Sequence, residues 1–204
     1  VLSSGSPILG VDPGTHHCGW GVVRRDGTRF VHIAHGVINA PTKDSLPLRL
    51  RFIADAMQSI LLRYAPSTAG IEQAFVHMDP KAALAIGHAR GAVMVECVRA
   101  GVSVNEYAPT VVKRSVVGTG RADKTQVNSM IRVLLGLSEA PPLDASDALA
   151  VAICHSSAAQ FADAIEQART PAATKSSTEP RSGTAPVSQA SAALLKLWKP
   201  KRSR

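Results

Sequence analysis

The sequence predicts an α/β protein with a five-stranded mixed sheet flanked by helices. Two observations lead there. Three β-rich stretches follow one another near the N-terminus, with turn signals between them. Beyond them, stretches of helical apolar spacing alternate with short apolar runs, giving the order βββ-α-β-α-β-α. Helices that cross between successive strands make those strands parallel, whereas tight turns make the first three antiparallel.

Residues 8–12 (ILGVD) form a buried strand that ends on an acid before the turn pair Pro13-Gly14. Residues 20–24 and 30–38 are rich in β-formers and separated by Asp26-Gly27, a hairpin signal. From 46 to 64, Leu46, Leu50, Ile53, Met57, Ile60 and Leu61 recur at helical spacing, and Pro66 closes the helix. Residues 68–72 (TAGIE) read as a brief strand, again ending on a carboxylate. Pro80 suits the first turn of an Ala-rich helix running to about residue 100. Then come a strand at 102–107, a short helix at 109–117, a flexible break at 118–120 and a helix at 123–135. A linker at 140–142 precedes the last helix, 144 to about 168.

The composition shifts after residue 169. Positions 170–204 are Thr-, Ser-, Pro-, Ala- and Lys-rich and bury too little apolar surface to offset chain entropy, so this tail is expected to be disordered. It holds seven Lys/Arg and one Glu, a net of +6 within the chain's +8. The body, residues 1–169, is therefore only mildly basic. Inside it, however, Lys113, Arg114, Arg121, Lys124 and Arg132 lie within twenty residues, opposed only by Asp123. That patch is a candidate phosphate contact, with a solvated basic face as the competing reading.

Three cysteines, an odd count without CxxC spacing, give no sign of a disulfide framework or structural zinc site and fit a reducing compartment best. No apolar run approaches the roughly 20 residues of a membrane span, and no charged-then-apolar leader pattern is present. A cytoplasmic protein without membrane attachment is expected.

Four acids stand where chemistry is expected. Asp12 and Glu72 each end a strand; if those strands are neighbours, both emerge at the sheet edge where open α/β sheets bind ligands. Asp144 and Asp147 are three apart on a helix, which places them on one face. Two such charges at 4 Å repel by about 4 kcal/mol at an effective dielectric of 20, so a gathered set needs a cation. Oxygen-only ligands favour Mg²⁺, with Mn²⁺ as a substitute, and two ions roughly 4 Å apart serve phosphodiester hydrolysis. Each acid also has an ordinary reading: Asp12 as a turn former, Asp144 as an N-cap, Asp147 as a partner of the helix dipole. The joint order of strand-end Asp, strand-end Glu and acidic i,i+3 pair favours a metal site.

The stretches ILGVDPGTHHCGWGVV, IEQAF, YAPTVVKRSVVGTGRADKTQV and LDASDALAVAICH closely resemble the RuvC family of bacterial Holliday-junction resolvases. The resemblance runs from about residue 8 to 155 and implies a ribonuclease-H-like fold. It implies a structure-selective, metal-dependent endonuclease that makes paired symmetric cuts in four-way DNA junctions. By that resemblance Asp12, Glu72, Asp144 and Asp147 are the catalytic metal ligands, holding two Mg²⁺ ions per subunit. Lys113 and Lys124 bind DNA near the scissile phosphate, and Phe75 stacks on a base at the opened junction, with ordinary core packing as its competing reading. Arg114 and Arg121 extend the DNA contact through the basic patch. The family acts as a homodimer and with the RuvA and RuvB branch-migration proteins. Small residues of the 80–100 helix (Ala82, Ala85, Ala89, Ala92, Gly87, Gly91) suit close approach to a twin, or packing on the chain's own sheet.

Other groups carry less. His16-His17-Cys18 is unsuited to one metal ion because adjacent side chains point apart, and Cys154-His155 reads as packing. An actin-like phosphotransferase needs a second strand-turn motif that is absent. A non-catalytic junction-binding protein is disfavoured by the presence of all four acids and both lysines.

Overall fold

The computed structural model describes residues 5–73 and 80–169. In chain order its elements are β1 (Pro7–Asp12), β2 (His17–Asp26), β3 (Arg29–Asn39), α1 (Leu46–Tyr64) and β4 (Thr68–Glu72). These are followed by α2 (Pro80–Arg99), β5 (Ser103–Tyr107), α3 (Pro109–Val117), α4 (Lys124–Leu134) and α5 (Leu143–Arg169). The five strands lie in the order β3-β2-β1-β4-β5. β1 pairs antiparallel with β2 and parallel with β4, β2 is antiparallel to β3, and β5 is parallel to β4. The mixed five-stranded sheet expected from the sequence is the one observed.

Boundaries differ where backbone pairing outruns side-chain pattern. β2 and β3 extend to Asp26 and Arg29, which pair directly, so the turn is Gly27-Thr28 with Gly27 at φ +57°. Only a residue without a Cβ adopts that left-handed conformation freely. At the other end of the hairpin, exposed His17 opposite Asn39 continues the ladder although neither side chain is apolar. Helix α5 starts at Leu143, so Asp144 sits inside its first turn. The N-cap reading of Asp144 is therefore wrong, and Asp147, one turn further on, is not a first-turn acid either. Asp123 is the N-cap of α4, in a reciprocal capping box with Gln126.

Alternation along the strands divides the core in two. Leu9, Val11, Cys18, Val22, Ala69 and Ile71 face α1 and α2, meeting Ile53, Met57, Leu61, Val93 and Cys97. Ile8 and Val23 face the opposite way, against Val112, Val127, Ile131 and the apolar stripe of α5. Each fully buried aliphatic side chain here stabilises the fold by about 1.5–3 kcal/mol.

On the α5 side much of the strand surface is glycine. A Cβ on Gly10 would overlap the Ala148 carbonyl, and one on Gly19 the Asp144 carbonyl. A Cβ on Gly21 would stand 2.6 Å from Leu149 Cδ2, and one on Gly70 2.9 Å from His155 Cβ. The missing side chains let the α5 backbone lie directly on β1, β2 and β4. Helix position is thus set by backbone contact, with little room to slide.

One buried polar group fixes α5 further along. His155, 2% exposed, makes a 2.8 Å hydrogen bond between Nε2 and Thr68 Oγ1 and a 2.7 Å bond between Nδ1 and Tyr107 Oη. Burial lowers its pKa to about 4, so the ring is neutral and ties α5 to β4 and β5 without an unpaired charge.

Candidate active site

β1 and β4 are adjacent and parallel with Val11 opposite Ile71, so Asp12 and Glu72 leave the same sheet edge side by side. Asp12 in turn pairs with Gly19 across the β1–β2 ladder, and Gly19 is the residue against which the Asp144 carbonyl rests. The glycine contact thereby delivers the start of α5 to the strand ends. One turn along, Asp147 faces α4, where Lys124 Nζ donates to Asp147 Oδ2 at 2.8 Å.

The acids feel one another. Burial raises the Asp12 pKa, and the charge of Asp147 adds to the shift, with a smaller addition from Asp144. Glu72 is raised further, first by burial, then by Asp12, with Asp147 contributing. The two side chains are hydrogen-bonded to each other through a shared proton. They titrate as a pair sharing one proton, because two ionised carboxylates at this edge repel. Lys124 opposes both shifts, and its own pKa is raised, first by its hydrogen bond to Asp147.

A cleft of about 200 Å³ opens beside this cluster, with Glu72, Lys113, Lys124 and Asp147 on its walls and Val112 and Val127 behind them. Lys113 and Lys124 thus share one cleft with Glu72 and Asp147. Arg114 and Arg121 are exposed and do not line it. Phe75 lies outside the described residues, as do residues 170–204.

Among the described residues no three His, Cys, Asp or Glu side chains already form a metal-holding arrangement. Asp12 and Glu72 are turned to each other across a proton, and Asp147 is engaged by Lys124. The donor chemistry nevertheless fits a hard divalent cation: the converging groups are all carboxylates, and the pKa values of Asp12 and Glu72 are raised first by burial and then by the neighbouring negative charges. The histidines of the early motif are elsewhere. His16 contacts Arg49, His17 Nδ1 and Asn39 Oδ1 are 2.8 Å apart, and Cys18 is buried in the core.

Sequence reasoning overlooked Gly10, Gly19, Gly21 and Gly70, which position α5 over the strand ends. The signal was present: glycines at alternate positions of β2, matched by single glycines in β1 and β4. It also overlooked the pairing of Tyr107 and Thr68 with His155.

The family model described as crossover junction endodeoxyribonuclease RuvC matches residues 8–155. A relative from Hyphomonas neptunium carrying that description is 50% identical over 153 residues, 75% of this chain and 92% of the relative. One from Sorangium cellulosum is 44% identical over 164 residues, 80% of this chain and 92% of the relative. Among solved structures, Thermus thermophilus RuvC in complex with Holliday junction substrate superposes with a TM-score of 0.73 at 34% identity, covering 77% of this chain and 96% of that one.

Proposed function

The chain belongs to the RuvC family of crossover junction endodeoxyribonucleases, and on that premise we propose that Asp12, Glu72, Asp144 and Asp147 are its catalytic acids. As a family member it is a DNA-cleaving hydrolase that resolves Holliday junctions. The observation that carries the residue assignment is the electrostatic convergence of Asp12, Glu72, Asp147 and Lys124, which come from four separate elements, at one sheet edge.

The four carboxylates would hold divalent metal, with two Mg²⁺ ions per subunit as the proposed set and Mn²⁺ as a substitute. Such ions supply an activated water and charge neutralisation at the leaving 3′-oxygen. The protein's own part is positional. The sheet edge fixes Asp12 and Glu72, the glycine contact fixes Asp144 and Asp147, and the two lysines draw the scissile phosphate into the cleft beside them. Arg114 and Arg121, exposed outside the cleft, suit contacts with more distant phosphates. Phe75, three residues after Glu72, is proposed to stack on an unpaired base.

One such site makes one nick, so paired cuts need two chains. Helix α2 offers a face for a twin: Leu84, Val95 and Val98 are exposed, and a Cβ on Gly87 or Gly91 would meet nothing within 4 Å. At helical spacing these five residues share one side, opposite the buried Ala89, Val93 and Glu96. A two-fold homodimer through this face is the proposed assembly. RuvA and RuvB remain partners proposed from family membership, as does a cytoplasmic location; no helix among the described residues is long and apolar enough to cross a membrane.

The test is incubation with Mg²⁺ and either a labelled four-way junction or the corresponding linear duplex. Symmetric nicks on the junction alone support the reading, and equal cutting of both substrates contradicts it.

A further inference from the structure

The contact between Lys124 and Asp147 places one cation-binding oxygen and one DNA-binding ammonium in competition. Lys124 Nζ donates to Asp147 Oδ2 at 2.8 Å, with the lysine side chain 63% exposed and the carboxylate 18%. The capping box of Asp123 and Gln126 fixes the backbone of Lys124 at the first position of α4. Its methylene stem remains free to swing. An ammonium on Oδ2 and a divalent ion on the same carboxylate repel strongly at that separation, so each weakens the hold of the other. A DNA phosphate in the cleft offers Lys124 an alternative partner; the lysine is the exposed member of the pair and moves at little cost, while the mostly buried carboxylate it leaves needs the cation in its place.

We propose that Lys124 is a counter-charge shared between Asp147 and the DNA phosphate, so that metal binding and DNA binding are coupled through this side chain. With Lys124 on Asp147 the acids hold a divalent cation weakly. When phosphate draws Lys124 away, the carboxylate is released to the cation and the site tightens as substrate arrives. By reciprocity the bound cation strengthens DNA binding by the same factor. The inference rests on the reading of the four acids as the metal-binding set, and it goes beyond that reading by giving Lys124 a role before any chemistry.

The probe is Mn²⁺ alone, titrated into the full chain and followed by the paramagnetic resonance of free ion. K124M is expected to bind Mn²⁺ roughly fivefold or more tightly than the natural chain, and K124R to resemble the natural chain. Equal or weaker binding by K124M overturns the proposal while leaving the metal site intact. If D147N binds Mn²⁺ as the natural chain does, Asp147 is not a ligand, and both the site assignment and this proposal fall. In a second arm, Ca²⁺ affinity is measured by calorimetry with and without an intact four-way junction. The junction, itself an anion beside the cation, is expected to tighten Ca²⁺ binding more in the natural chain than in K124M; the same tightening in both overturns the coupling.

Discussion

The Asp144 carbonyl rests against Gly19, so closely that a methyl group on residue 19 would overlap it. Gly19 is also the ladder partner of Asp12. This contact joins the two halves of the acidic cluster. Gly19→Ala must lift the start of α5, at a cost of about 1–3 kcal/mol from overpacking. It carries Asp144 and Asp147 away from the strand ends as it does so. Cleavage by the folded variant is expected to fall at least about tenfold, beyond what its melting curve explains, since small misplacements of catalytic groups cost up to 10²-fold. A destabilised variant with a normal single-turnover rate would separate the glycine contact from the chemistry.

The proton shared by Asp12 and Glu72 makes stability depend on pH in the presence of a chelator. Both groups are raised, from 3.8 and 4.5 in the free side chains, so the folded chain binds protons that the unfolded chain has lost. Stability therefore declines as pH rises through the window between the unfolded and folded values. His155, His32 and His35 are lowered from 6.5 and act with the opposite sign until about one pH unit above 6.5, where they are neutral in both states. Glu72→Gln keeps those histidines, so the difference between the natural chain and this variant isolates Glu72, which is pushed up to about 8. The natural chain is expected to lose about 1–2 kcal/mol relative to the variant between pH 6.5 and 8. The difference should appear in melts in EDTA, and saturating Mg²⁺ should remove it. Stabilities of the two chains that run parallel over this range in EDTA would refute the shared proton.

Tyr107 Oη is the hydrogen-bond partner of His155 Nδ1, while the Tyr107 carbonyl accepts from the Gln73 amide at 2.9 Å, just beyond Glu72. Tyr107→Phe leaves a buried ring nitrogen unsatisfied and should cost about 1–3 kcal/mol in urea denaturation. The backbone bond persists in that variant. Cleavage well below the melting temperature should therefore stay near that of the natural chain; a large loss would place His155 in the chemistry.

The exposed side of α2 carries its own expectation. Gly91→Arg projects a charge where a Cβ now meets open space, so the fold should be unaffected. Sedimentation is expected to show monomer in place of dimer, with paired cuts reduced to occasional single nicks. An unchanged dimer would exclude this face.

The sequence made the sheet and the acids legible for a shared reason. Asp12 and Glu72 end short apolar runs at turn signals, and Asp144 and Asp147 are three apart on one helix, so local pattern identified both pairs. How the helix pair reaches the strand pair was not legible. That depends on Gly10 and Gly19 meeting Ala148 and Asp144, contacts between residues more than a hundred positions apart. A glycine in a strand ordinarily reads as weakness, and its use as a seat for another backbone shows only once the partner is in place. His155 is buried, as its packing reading expects, but its hydrogen bonds are not legible in the sequence because Thr68 and Tyr107 lie 87 and 48 positions away. The basic patch was read too evenly: Lys113 lines the cleft and neighbouring Arg114 does not, a difference set by which side of the nine-residue helix α3 meets the core.

The most direct test is Asp147→Asn, with junction binding and single-turnover cleavage measured on the same sample in Mg²⁺. The substitution keeps the shape of the side chain and removes its charge. Binding is expected to stay within about threefold, while cleavage falls at least about 10²-fold, a loss of roughly 3 kcal/mol in the barrier. Cleavage at the rate of the natural chain would contradict the claim that acids brought together by the fold hold the cation that cuts DNA.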